Sequence, residues 1–203
     1  MIWRSGPEAS WNFLRAHARE ATQIHVAGHG RAGVWGAGDT ALILGDGAVG
    51  LESLPELAPL AARVVTVSAC QTAVVDIGHL PEEGFSVGGA MIAAGAACAI
   101  ASLWPVRSDT TALLMIRLYE EMLAGDLRPP EALRRAQLWL RDLTDPELDS
   151  FLSAYPTLET EFRRRAAAGD RPGRRAATHI ETSDEPRPFS GPDYWAPFIA
   201  LGA

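Results

Sequence analysis

Residues 63–68 open with a β-branched apolar run, Val64-Val65-Thr66-Val67, the composition of a parallel strand buried on both faces. The run ends in small residues and then Cys70. Residues 22–27 form a second strand-like run, Ile24-His25-Val26-Ala27, which passes into Gly28-His29-Gly30. Residues 97–103 predict a third strand with Cys98 packed inside it, and residues 194–201 a last one. Helical spacing marks residues 10–19, with Trp11, Leu14 and Ala18 on one face and Ser10 or Ser5 as cap. It also marks 83–94, rich in Gly and Ala and closed by Gly95, and 110–124, capped by Ser108 or Asp109. A further helix is expected over 129–142, with proline in its first turn. Residues 33–36 and 40–44 predict a β-hairpin, Gly45-Asp46-Gly47 a second turn, and 52–62 a short helix interrupted by Pro55 and Pro59. Residues 144–162 predict one or two short helices. Strands alternating with helices indicate an α/β fold with a mostly parallel central sheet.

The bulk properties narrow the class. The 203 residues suit one domain, 1–203, and 47% hydrophobic content is enough for a substantial core. The region 166–188, with arginines before it at 163–165 and within it at 171, 174 and 175, and with almost no apolar content over 176–188, is expected to be a mobile, solvated insertion. Self-cleavage within it is the sharper alternative. Net charge is −7 with a pI near 5.2, which argues against a general nucleic-acid binder. All 18 basic residues are arginine. Cys70 and Cys98 make neither a disulfide framework nor a metal cluster, and the scattered His17, His25, His79 and His179 lack ligand spacing. No cofactor is expected, since no phosphate-cradling glycine loop follows a strand. No apolar run is long enough to span a membrane, and the expected location is a reducing cytoplasm.

The candidate chemistry sits at two strand ends. In open α/β sheets, ligands gather at the carboxyl ends of the strands. If the strands ending near His29 and Cys70 are parallel neighbours, a thiol and an imidazole face one another across a crevice. A thiol becomes a strong nucleophile when a base takes its proton. Taken singly, Cys70 also reads as a small buried hydrophobe and His29 as hydrogen-bonded structure.

Ala27-Gly28-His29-Gly30, Ser68-Ala69-Cys70-Gln71-Thr72, Ser102-Leu103-Trp104-Pro105-Val106 and Tyr194-Trp195-Ala196-Pro197-Phe198 occur in that order. Together they resemble the CHAT family of caspase- and separase-like cysteine peptidases, over about residues 21–141 and again 191–202. The resemblance implies a caspase-like αβα sandwich and peptide-bond hydrolysis by a dyad of His29 and Cys70. It implies oxyanion donors at the backbone N–H groups of Gly30 and Cys70. The family usually carries a further strand-helix unit before this point, which is expected to be missing or upstream.

Substrate selection is expected near Asp109 and Trp104. The resemblance implies that Asp109 receives a basic P1 side chain, while its place at a helix start reads equally as a cap. Trp104 is either a wall of the substrate pocket or a cap on the core. Asp76, Glu82 and Glu83 are weaker pocket candidates. The expected partner is a protein or peptide substrate. The resemblance also implies a bacterial setting in defence or cell death, with a helical-repeat, sensor or pore-forming partner. The alternative is a caspase-like scaffold or sensor without catalysis.

Overall fold

The computed structural model describes residues 1–31, 40–69, 86–124, 127–168 and 186–202. They fall into two compact units, Met1–Pro105 with Phe198–Ala203, and Val106–Pro197.

The first unit is built on a four-stranded sheet. Its strands are β1 (Gln23–Ala27), β5 (Val64–Ser68), β6 (Cys98–Ser102) and β7 (Phe198–Gly202), in the order β1-β5-β6-β7. β1 and β6 run parallel to β5, and β7 is antiparallel to β6. All five residues of β5 are buried, as are all five of β6, as expected for central strands. Among the described strands β1 lies at an edge, and it buries Ile24 while exposing Gln23 and His25. Between β1 and β5 the chain forms a second sheet of β2 (His29–Arg31), β3 (Ala41–Leu44) and β4 (Gly47–Gly50), all antiparallel. Its Leu42 and Val49 join the hydrophobic core with Ile24, Val65 and Val67.

Capping holds the surrounding helices in place. α1 (Trp11–His17) begins at Ser10, whose hydroxyl accepts from Phe13 N–H at 3.1 Å. The β3–β4 turn adds Asp46, which accepts from Trp11 N–H at 2.8 Å and sets a carboxylate at the helix's positive end. α2 (Val87–Ala93) is capped by Ser86, which accepts from Gly89 N–H at 3.0 Å. The small residues of α2 do allow close packing. A Cβ on Gly88 would come within 2.7 Å of Leu201 Cδ1 and 3.1 Å of Ala101 Cβ.

The second unit is helical: α3 (Ser108–Ala124), α4 (Pro129–Asp142), α5 (Asp145–Ser153), α6 (Pro156–Ala167) and α7 (Pro192–Trp195). α3 packs against α4, and each helix buries one leucine-rich stripe, with Leu113, Leu114 and Leu118 on α3 and Leu133 and Leu140 on α4. Trp139, Phe151 and Tyr155 pack in a row of tilted rings with centroids 4.9 and 5.1 Å apart.

Several boundaries differ from the sequence expectation. The short helix expected over 52–62 is a 3₁₀ helix that spans only Leu51–Leu57. Pro55 inside it supplies no N–H, and Leu51, Leu54 and Leu57 bury one face at a spacing of three, the 3₁₀ repeat. The expected strand over 194–201 starts only at Phe198, because Gly191-Pro192 opens a helical turn first. β3 pairs with β2 at His29–Arg31, and the other expected hairpin arm, 33–36, lies outside the described residues. α6 runs through Ala167, so the first residues of the expected insertion are helical; residues 169–185 lie outside the described residues.

Gly95 has φ +112°, and a Cβ there would sit 2.7 Å from the Leu60 carbonyl oxygen. Gly95→Ala therefore combines backbone strain with a backbone clash, and it is expected to cost about 2 kcal/mol or more in urea unfolding. Gly47→Ala, with φ +133° and open space around it, is expected to cost less.

Candidate active site at the strand ends

The ladder between β1 and β5 ends with Ala27 opposite Ser68. His29 follows Ala27 by two residues, and Cys70 follows Ser68 by the same two. The histidine and cysteine motifs thus leave neighbouring parallel strands at one level, on the carboxyl side of the sheet. Gly28 N–H still reaches the Ser68 carbonyl, at 3.4 Å.

His29 is solvent-exposed, and it is the first residue of β2, opposite Ile43 of β3. Its backbone is therefore fixed by a second sheet rather than hanging from a loop. Gly30, opposite Leu42, is half-buried. Cys70 lies outside the described residues, as do Asp76, Glu82 and Glu83. Its neighbour Ala69 is buried.

Two side chains that sequence reasoning left out of the site converge on this strand end. His25 Nε2 lies 2.7 Å from Ser68 Oγ, a hydrogen bond between the edge strand and the central one. Ser102, the last residue of β6 and fully buried, donates its hydroxyl to the Ala69 carbonyl at 2.5 Å. Removing the Ser102 hydroxyl takes one hydrogen bond from a buried carbonyl, at a cost of about 1 kcal/mol. On β5, Thr66 Oγ1 is buried and has no partner among the described residues. His25 keeps solvent access at the sheet edge, yet crowding around its ring pushes its pKa down to about 4, by desolvation. The direction follows from the loss of water around the imidazolium, and the solvent contact that remains limits its effect on stability.

Trp104, just past β6, is half-buried, and its buried indole N–H has no acceptor among the described residues. Asp109 is buried in the second unit with partners of its own. Arg107 donates to both carboxylate oxygens, from Nε at 3.2 Å and Nη2 at 2.9 Å. Thr110 N–H donates to Oδ1 at 2.8 Å, and Arg165 Nη1 stands 3.6 Å from Oδ2. The Arg107 fork closes on Asp109 within the start of α3, and Arg165 adds an ion pair from the end of α6; together they favour anchoring over reception of a substrate arginine. Among the described residues no cluster of His, Cys, Asp and Glu could hold a metal ion, and no helix is long and apolar enough to cross a membrane.

The family model of the CHAT domain matches residues 2–203. The chain belongs to the CHAT domain family. That family is associated with caspase-like cysteine peptidases, and the central sheet flanked by helices agrees with a caspase-like fold. No curated protein matches the chain. For this CHAT domain, the family match covers both the strand ends and the helical second unit.

A histidine whose folded pKa is lowered from 6.5 to about 4 holds fewer protons than its unfolded counterpart between those values. Its stabilising contribution is complete above pH 6.5 and is lost as pH falls through 4. The melting temperature of wild type is therefore expected to fall more steeply from pH 6.5 to 4 than that of His25→Gln, measured by thermal denaturation in matched buffers.

Proposed function

We propose that this CHAT domain is a cysteine endopeptidase in which Cys70 is the nucleophile and His29 its base. The observation that carries the reading is the register of β1 on β5, with Ala27 level with Ser68, because it brings the two motif-bearing strand ends side by side. The exposure of His29 supports it further, since a base must meet both thiol and substrate.

In this mechanism His29 takes the Cys70 proton, and the thiolate attacks the scissile carbonyl carbon. The oxyanion of the tetrahedral intermediate is held by the backbone N–H groups of Gly30 and Cys70. As the C–N bond breaks, His29 gives the proton to the leaving amine and a thioester remains. Water, deprotonated by His29, then hydrolyses the thioester and returns the free thiol. Trp104 forms one wall of the substrate cleft. A basic P1 residue read by Asp109 would have to displace Arg107 and Arg165, so the stronger proposal for Asp109 is an anchor for α3 and α6.

Two experiments test this reading. Peptidyl electrophiles with Arg, Leu or Asp at P1 are expected to add once to wild type, to fail with Cys70→Ala, and to react at least tenfold more slowly with His29→Ala, read by intact mass. Labelling at Cys98, or at Cys70 without regard to His29, contradicts the dyad and favours a scaffold. Asp109→Ala is expected to lose about 1–3 kcal/mol in urea unfolding, by removing the carboxylate that Arg107, Arg165 and the Thr110 N–H share, while keeping the P1 preference of wild type. Loss of reactivity confined to the Arg probe would instead establish Asp109 as a specificity residue.

A further inference from the structure

We propose that Ile43 and Ala48 form a subsite for a large aliphatic side chain on the residue just after the scissile bond, and that the substrates are peptides cut before Leu, Ile or Met. The proposal rests on the reading of His29 as the base of a cysteine peptidase.

His29 of β2 is opposite Ile43 of β3, and Ile43 is opposite Ala48 of β4. Residues directly opposite in an antiparallel pair turn their side chains to the same face. His29, Ile43 and Ala48 therefore make one row across this sheet, and all three are exposed. The other face belongs to the core, with Leu42 at 1% and Val49 at 8% exposure, whereas Ile43 keeps 36%. A lone exposed isoleucine calls for no explanation; its place beside His29 is what gives this one a role. Arg31 shares the face but stands opposite Ala41, two residues along the strand from the row. A Cβ on Gly28 would come 3.4 Å from the Ile43 carbonyl oxygen, so the link from β1 to β2 lies against β3. The row is thus fixed to the strand end that carries His29.

The chemistry of the leaving group decides which substrate residue meets this row. When the C–N bond breaks, His29 gives its proton to the leaving nitrogen, which must stand within hydrogen-bond reach of the imidazole. That nitrogen belongs to the residue after the scissile bond, and its Cβ lies two bonds away. Opposite residues on paired strands have Cβ atoms about 5 Å apart, and Ala48 is one strand further on. Leu, Ile or Met at this position reaches past the imidazole onto Ile43 and toward Ala48, and takes apolar surface out of water. Gly or Ser falls short, and Asp sets a charge on apolar surface.

A peptidyl electrophile carries nothing after the scissile position, which supplies the control. A proteome-derived peptide mixture is digested with wild type, Ile43→Thr and Ala48→Asp, and the cut sites are read by mass spectrometry. Wild type is expected to cut before Leu, Ile or Met about 5- to 10-fold more often than before Gly, Ser or Asp. Both variants are expected to bring that ratio below about twofold and to react with the electrophile within about twofold of the wild-type rate. Cutting without regard to the following residue, an unchanged preference in both variants, or slowed labelling in both overturns the proposal. A binding measurement separates the subsite from the dyad. In Cys70→Ala protein with labelled isoleucine methyls, peptides with Arg, Leu or Asp before the bond and Leu after it are expected to shift the Ile43 Cδ1 signal, and those with Asp after it are not. If wild type cuts nothing while this signal shifts, the peptidase reading fails and the row stands as a peptide-binding surface. Cutting with neither the preference nor the shift sinks the row and leaves the dyad intact.

Discussion

The ladder between β1 and β5 is the constraint on which the candidate site depends. Five residue pairs, from Gln23 with Val64 to Ala27 with Ser68, lock the edge strand to the central strand in one register. A slip of one residue would turn every side chain of β1 to the opposite face, exposing Ile24 and burying His25. The burial of β5 on both faces makes such a slip costly, because Val65 and Val67 belong to the core that Ile24 completes. The same register sets the histidine and cysteine motifs level where the strands run out. The level placing of the two motif-bearing strand ends and the packing of the core thus rest on one set of backbone hydrogen bonds.

Polar groups take over where that ladder and its neighbour stop. His25 bonds Ser68 at the solvent-exposed flank of β1, whereas Ser102 bonds Ala69 in the interior, where a lost partner costs more than it would in water. Their position matters more than their number. Both fall within two residues of Cys70 in sequence, on the segment whose direction decides how a nucleophile is presented. His29 is steadied separately, by the β2–β3 pairing that begins with it. The two halves of the proposed dyad therefore hang from two different sheets, joined through Gly28.

Much of this was legible in the sequence, for identifiable reasons. β5 announces itself through its β-branched run, and α4 matches its expected bounds because proline marks its start and its leucines keep helical period. The two-proline segment after β4 misled because its leucines recur at three, a spacing that suits both α and 3₁₀ helices until proline removes the donors. The turn of α7 was hidden by the aromatic run that follows Gly191-Pro192. His25 was read as structural, which its bond to Ser68 supports, but its partner lies 43 residues away and no local pattern encodes it. Ser102 was visible only as the first residue of a motif. The partners of Asp109 were equally out of reach, because Arg165 arrives from a helix whose register on α3 is a tertiary fact.

The central claim is geometric: parallel strand ends hold a histidine and a cysteine as one reacting pair. A crystal structure of the protein with a peptidyl aldehyde tests it most directly. The account predicts a covalent bond from Cys70 Sγ to the aldehyde carbon, a ring nitrogen of His29 within about 4 Å of that sulfur, and the Cys70 N–H directed at the hemithioacetal oxygen. An adduct formed at Cys98, or a Cys70 adduct with the His29 ring turned away and out of reach, would contradict it.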